Sequence, residues 1–364
     1  MIIYDSIVIG GGPAGSSAAY TMARAGLKVL LLEKETMPRY KCCGGGIPRK
    51  VGRILDFDFS ICRDAPTRGI VFSWLSKETH SRIGEELLGW VVKREIFDQL
   101  LLEQARSAGA RVEEGCKFID LEVGRDLLHV TTTGGEFSGR TLIGADGAGS
   151  AVARRIGLTG HSRPGFALET RIEIPDSILE ERRENLYFDL GGIPAGYGWI
   201  FPLKDSLNVG VATRRSSFRG LRTCLRDYLH REGLEEYNDN SNIRGGTLAF
   251  RLRPSGLVKG HCCLIGDAAG LTDRLTGEGI YPAILSGQLA GESVTNLLRG
   301  DAQLNAYQTA IKKSLGMNIF LANLASRLSG LFPRIIFDRV CGNQRRIEKA
   351  MAVIQGELNY RDLF

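Results

Sequence analysis

Six residues near the start, Gly10-Gly11-Gly12-Pro13-Ala14-Gly15, leave this chain little choice of fold. They follow an apolar run at residues 4–10 (YDSIVIG) that reads as a buried strand. Ala14 to Ala25 reads as a helix closed by Gly26, and KVLLLEK at 28–34 as a second buried strand. Strand, helix and strand make a βαβ unit of about 30 residues, the first half of a dinucleotide fold. Gly10, Gly12, Ala14 and Gly15 let backbone N–H groups approach a pyrophosphate at the positive end of the helix dipole. Glu33 ends the second strand, where a carboxylate accepts hydrogen bonds from an adenosine ribose.

A chain of 364 residues suits two or three domains. Its 43% hydrophobic and 24% charged content excludes disordered and collagen-like classes. The 46 glycines exceed the usual share of about 7%, as expected where backbone must come close to a ligand. No apolar run reaches the length of a spanning helix. The N-terminus lacks a basic region and a small-residue cleavage site, so it reads as a strand and a cytoplasmic protein is expected. Eight cysteines form no CxxC pair, so no metal site is expected and reduced thiols are the default. The net charge of +6 is spread out, and no nucleic-acid partner is expected. A loose cluster at Arg214, Arg215, Arg219, Arg222 and Arg226 is either a solvated helix face or an attraction for an anionic ligand or membrane.

Further along, residues 68–93 alternate as strands, and a helix is expected at about 94–108. Residues 116–143 read as hairpin strands turning at Gly134-Gly135. From 160 to 255 short alternating strands dominate (ALETRIEI, NLYFDL, LNVGVAT), with one helix near 216–232. HCCLIGDAAG at 261–270 returns to a strand followed by a glycine loop, and a helix at about 279–297 follows. Within that loop Asp267 is either an ordinary N-capping residue or a group that holds a ribityl chain. Gly144-Ala145-Asp146-Gly147, with Ser150 and Arg154, repeats the same shape.

Taken in order, the GxGxxG, the mid-chain Asp146-Gly147 and the late Gly266-Asp267 resemble the flavoprotein hydroxylase superfamily over residues 4–297. That resemblance implies one FAD in an aromatic-hydroxylase-type fold, bound by Asp146, Gly147, Asp267, Gly277, Gly279 and Ile280 beside the N-terminal glycines. It adds Arg94 from Arg94-x-x-Phe97-Asp98-x-x-Leu101. Lys41-Cys42-Cys43-Gly44-Gly45-Gly46-Ile47-Pro48, and Tyr197-Gly198-Trp199-Ile200-Phe201-Pro202 followed by Gly210, resemble the geranylgeranyl reductase family. By that resemblance Cys43 is catalytic, Gly44 and Gly46 meet the flavin, and Tyr197, Trp199 and Phe201 line the substrate pocket. The chain departs from the family at Thr272-Asp273-Arg274-Leu275, where a proline is usual.

The expected fold class is therefore α/β. A Rossmann-like FAD-binding domain takes residues 1–67, 94–160 and 256–298. An inserted antiparallel β substrate domain takes 68–93 and 161–255, and a helical C-terminal region takes 299–364. The resemblance implies hydrogenation of isoprenoid C=C bonds in a geranylgeranyl or other polyprenyl diphosphate, lipid or quinone, with NAD(P)H or ferredoxin as electron donor. A flavin monooxygenase or halogenase is the alternative on the same scaffold, and a flavin-binding electron carrier is the third. Residues 317–332 carry apolar side chains at helical spacing, which suits packing on the flavin domain, a lipid tunnel or peripheral membrane contact. Gly12→Val and Asp267→Ala are each expected to purify without flavin, read from the flavin absorbance; a full flavin spectrum in either would overturn the site assignment.

Overall fold

Strand and helix alternate at the start, as the hydrophobic pattern requires. The computed structural model, which describes residues 2–159, 164–251 and 256–363, opens with β1 (Ile3–Ile9), α1 (Pro13–Arg24) and β2 (Val29–Leu32). Next come β3 (Gly46–Pro48), α2 (Arg49–Gly52), β4 (Ala65–Thr67), β5 (Gly69–Trp74), β6 (Glu78–Ile83), β7 (Gly89–Val91) and α3 (Arg94–Ser107). Then follow β8 (Arg111–Glu113), β9 (Phe118–Val123), β10 (Leu128–Thr132), β11 (Gly135–Gly144) and α4 (Ala151–Ile156). The middle of the chain forms β12 (Gly165–Ile172), α5 (Asp176–Arg182), β13 (Asn185–Leu190), β14 (Gly196–Pro202), β15 (Leu207–Thr213), α6 (Leu221–Arg231) and β16 (Arg244–Leu248). The last part holds β17 (Val258–Lys259), β18 (Cys262–Leu264), α7 (Ile280–Arg299), α8 (Asn305–Leu331), α9 (Pro333–Ile336) and α10 (Gln344–Gln355).

Two units result. One takes Met1–Tyr40, Glu95–Ser162 and Ala249–Phe320; the other takes Lys41–Arg94, Arg163–Leu248 and Leu321–Phe364. The first is the α/β unit. Its sheet runs β17-β18-β11-β1-β2-β8, with β18, β11, β1, β2 and β8 parallel and the β9–β10 hairpin added on β11. All four residues of β2 are buried, as a strand inside a parallel sheet demands. Small residues bring α7 against α1: a Cβ at Gly287 would overlap the Ala14 carbonyl, and one at Gly291 would lie 2.8 Å from Thr21 Cβ.

The second unit is built on a seven-stranded sheet, β16-β12-β15-β14-β13-β5-β6. It is not wholly antiparallel as expected: β13 runs parallel to β5, from Asn185 beside Gly69 to Leu190 beside Trp74. A long excursion joins these strands, so no hairpin dictates their direction. One sheet face packs Ile200, Val209 and Val211 against Leu225, Tyr228 and Leu229 of α6.

The domain boundaries also need correction. Residues 41–67 belong to the second unit, because β3 and β4 pair with the two edges of β7. The region 299–364 does not stand apart: it divides within α8, after Phe320. The expected boundaries at 160 and 255 lie outside the described residues. Gly287→Ala is expected to destabilise the first unit by about 1–3 kcal/mol through overpacking against α1. A thermal melt of the holoenzyme that is unchanged would contradict this close approach.

Candidate active site

In the first unit, adjacency of β1, β11 and β18 gathers three loops that lie far apart in sequence. Ile9 pairs with Gly144 and Gly144 with Leu264. The Ala145 amide then donates to the Ile9 carbonyl at 2.8 Å, and the Ile265 amide to the Gly144 carbonyl at 3.0 Å. The loops therefore leave the sheet together at the carboxyl ends of their strands, where open α/β sheets bind ligands.

The glycines have steric work. Gly10 has φ +107°, and a Cβ there would overlap the Ala145 carbonyl; a Cβ at Gly15 would overlap the Gly10 carbonyl. Gly12 caps α1 without a side-chain hydrogen bond, and Pro13 opens the helix. The Ser16 amide bonds back to the Gly12 carbonyl at 2.9 Å, so the amides of Ala14 and Gly15 precede the helical ladder. Glu33 is buried, with Oε2 accepting from the Gly11 amide at 2.6 Å and Oε1 from the Glu35 amide at 3.0 Å. Its carboxylate thus holds the glycine loop itself. Arg39, which sequence reasoning missed, adds a positive charge beside Gly12 and lies 3.2 Å from the enclosed Asp98 carboxylate. No motif flags Arg39; its place follows from the chain path after β2.

Asp146 turns its carboxylate inward, accepting from Ser150 Oγ at 2.5 Å and from the Ala151 and Val152 amides at 2.6 and 3.1 Å. It therefore holds the first turn of α4, which Ser150 caps by accepting from the Ala153 amide at 2.8 Å, and Gly147, at φ +80° with open space at its Cβ position, is the backbone left clear beside it. Asp267 Oδ1 accepts from Thr272 Oγ1 at 2.7 Å. Gly279 caps α7 without a side-chain bond, Ile280 opens that helix, and Gly277 has φ +76°. The turn that lacks proline is held instead by Asp273, whose Oδ1 accepts from the Leu275 and Thr276 amides at 2.8 and 2.9 Å. A loop in which Gly10 and Gly15 leave no room for a Cβ, an uncapped helix start and a buried carboxylate at a strand end fit the dinucleotide part of FAD.

Gly44, Gly46, Arg94, Cys43, Tyr197, Trp199 and Phe201 fall in the second unit. On the sheet face opposite α6, Trp199 pairs with Gly210 and Gly210 with Glu169; Phe201 pairs with Asn208, and Tyr197 with Ala212. The Trp199 ring lies over Gly210, where any Cβ would strike it. Trp199 is buried and its indole N–H donates to Asn208 Oδ1 at 2.7 Å, so it serves more as a fixed floor than as open wall. Tyr197 and Phe201 are half-buried. Phe188, also missed, joins them with ring centroids 5.8 Å from Tyr197 and 5.5 Å from Phe201.

The Lys41–Gly46 turn rests on this face. A Cβ at Gly44 would sit 2.8 Å from the Phe201 ring and 3.1 Å from Trp199 Nε1. The Gly45 amide donates to Cys43 Sγ at 3.4 Å. The Cys43 amide donates to Glu169 Oε2 at 2.9 Å, and Asn208 Nδ2 donates to the Cys43 carbonyl at 3.3 Å and to Glu169 Oε2 at 3.2 Å. Glu169 is 0% exposed and Asn208 2%. The only sequence signal for Glu169 was a carboxylate on the buried side of an alternating strand. Burial, then the Glu169 charge, push the Cys42 thiol well up, while Lys41 and the buried Arg94 oppose that shift. Cys262 is pushed up to about 11 by burial, in keeping with a core position.

The FAD dependent oxidoreductase family matches residues 5–157. Geranylgeranyl diphosphate reductase of Rhodobacter capsulatus is 33% identical over 305 residues, covering 81% of this chain and 76% of the relative. Digeranylgeranylglycerophospholipid reductase of Methanocaldococcus jannaschii is 31% identical, covering 82% of this chain and 78% of the relative. Among solved structures, a geranylgeranyl bacteriochlorophyll reductase-like protein from Thermoplasma acidophilum shares the fold at TM-score 0.85 and 24% identity, over 100% of this chain and 99% of that one. Gly210→Ala is expected to expel the Trp199 ring, costing about 1–3 kcal/mol. A change in the tryptophan near-ultraviolet circular dichroism, to which Trp74 and Trp90 also contribute, with a lower melting temperature is the expected result; an unaltered spectrum would place the ring elsewhere.

Proposed function

The chain belongs to the geranylgeranyl reductase family of FAD-dependent oxidoreductases, and on that premise we propose that it hydrogenates C=C bonds of a polyprenyl chain. The observation that carries this reading is the aromatic face of Phe188, Tyr197, Trp199 and Phe201 beside the Cys43 turn. Such a face suits a prenyl chain, which offers apolar methyl-bearing units and no hydrogen-bond donors. Bound FAD, once reduced, supplies a hydride. The chain's own residues have to manage the charge and the proton, because an isolated alkene is a poor hydride acceptor. Tyr197 and Phe201 present ring faces that stabilise a developing tertiary cation by about 0.5–2 kcal/mol each. That is modest beside the roughly 8 kcal/mol or more that enzymic acceleration demands. Positioning and exclusion of water must supply the remainder. Cys43 carries the proton in this reading: its thiol is held by the Gly45 amide next to the aromatic face.

The acceptor is a geranylgeranyl or longer polyprenyl diphosphate, lipid or quinone, and the electron donor is NAD(P)H or ferredoxin. We place the protein in the cytoplasm, at the surface of an anionic membrane. Along α8, Met317, Phe320, Leu324, Leu328 and Leu331 are exposed at helical spacing. Residues 305–346 hold seven Lys and Arg against the single Asp338, a net +6 equal to that of the whole chain. The rest of the protein is therefore neutral, and the excess charge flanks the exposed apolar stripe, with Arg327 within it.

Two experiments test these readings. Anaerobic holoenzyme reduced with dithionite is expected to reoxidise on adding geranylgeranyl compounds, with two hydrogens gained per double bond by mass spectrometry. A flavin that stays reduced with every prenyl acceptor, yet yields an oxygenated or halogenated product in air, would overturn the reductase reading. Sedimentation with phosphatidylglycerol vesicles is expected to exceed that with phosphatidylcholine and to fall with salt, and Leu324→Glu to weaken it. Equal binding to both lipids would remove the anionic-surface proposal.

A further inference from the structure

Glu169 is a carboxylate enclosed at the middle of a sheet, which is costly unless its oxygens are hydrogen-bonded. Its Oε2 takes two donors, the Cys43 amide at 2.9 Å and Asn208 Nδ2 at 3.2 Å. Asn208 in turn reaches the Cys43 carbonyl at 3.3 Å and receives the Trp199 indole N–H at 2.7 Å. Both backbone groups of Cys43 are thereby gripped by side chains of β12 and β15, while the thiol receives the Gly45 amide at 3.4 Å. None of these bonds belongs to the sheet ladder. They serve the turn.

We propose that Glu169 is a positioning residue for Cys43: with Asn208 it clamps both backbone groups of that residue, and through Asn208 it ties the turn to the indole of Trp199. The functional part of this inference rests on the reading that Cys43 carries the proton to the alkene. A thiol whose backbone is clamped at both ends keeps one direction relative to its own aromatic face. Small errors in such direction cost large factors in rate. The charged groups that bear on the neighbouring Cys42 thiol are Glu169, Lys41 and Arg94 together with Cys43. Removing the Glu169 charge therefore also acts on Cys42, in the direction of a more reactive thiol.

The test uses full-length holoenzyme and the variants Glu169→Gln, Cys43→Ser and the two combined, with Trp199→Phe as a second approach that keeps Glu169 and an aromatic ring. Alkylation by iodoacetamide is mapped to Cys42 and Cys43 by mass spectrometry, and kcat and KM are measured for prenyl reduction. Glu169→Gln is expected to raise labelling of Cys43 several-fold and to lower kcat by about tenfold or more with KM little changed. In the Cys43→Ser background the same substitution is expected to have no further effect on kcat, the non-additivity of residues acting as a unit. Trp199→Phe is expected to raise Cys43 labelling in the same direction by a smaller factor. Labelling unchanged in both Glu169→Gln and Trp199→Phe would overturn the clamp. So would a fall in kcat of equal size with Cys43 already replaced, since Glu169 would then act on its own. Raised labelling with kcat untouched would overturn the positioning role. If the parent enzyme reduces no prenyl acceptor, the reductase reading fails separately, and the labelling alone decides whether Glu169 holds the turn.

Discussion

The first unit rests on a backbone approach that admits no side chain. The carbonyl of Gly10 lies where a Cβ of Gly15 would be, and the carbonyl of Ala145 where a Cβ of Gly10 would be. That contact joins the end of β1 to the end of β11 and sets the start of α1 over both. The hydrogen bonds from Ala145 to Ile9 and from Ile265 to Gly144 continue the same join to β18. Loops that the sequence keeps more than a hundred residues apart become one cradle because three parallel strands are neighbours. Gly287 and Gly291 of α7 repeat the device against α1, where a Cβ would meet the Ala14 carbonyl and Thr21.

The second unit solves a different problem, the burial of polar groups beneath an aromatic face. An enclosed hydrogen-bonding group left unsatisfied costs about 1–3 kcal/mol, and more if charged. Glu169, Asn208 and the Trp199 indole meet that demand mutually and extend it to the Cys43 turn. The absence of a side chain at Gly210 is what lets the indole lie flat enough to reach Asn208. A change at any of these positions therefore moves more than one contact, and the effects of paired substitutions there will not add.

The glycine loop, the βαβ order and the parallel strand ends were readable because steric exclusion and hydrophobic period act locally. The same holds for the alternation of Tyr197, Trp199 and Phe201, which a strand must place on one face. Other features escaped. The Asp146 carboxylate also holds Ser150 and the first amides of α4, a task decided by the turn geometry that follows it. The parallel pairing of β13 with β5 and the transfer of residues 41–67 to the second unit escaped for a related reason. Both depend on which distant segment supplies a partner for a sheet edge, and hydrophobic pattern carries no such information.

By itself the sequence determined that this chain builds a dinucleotide fold and that its glycines crowd at strand ends, which are consequences of residue type and short spacing. The flavin and reductase reading came from the resemblance of its motifs to those of the geranylgeranyl reductases. Only the tertiary structure decided what Glu169, Asn208, Arg39 and Phe188 do. Each is an unremarked residue in its own segment, and each becomes a clamp, a charge or a wall through a neighbour on another element. Side-chain chemistry is written locally, but the partner that gives it a task is set by strand order and register, which arise from packing the whole unit at once.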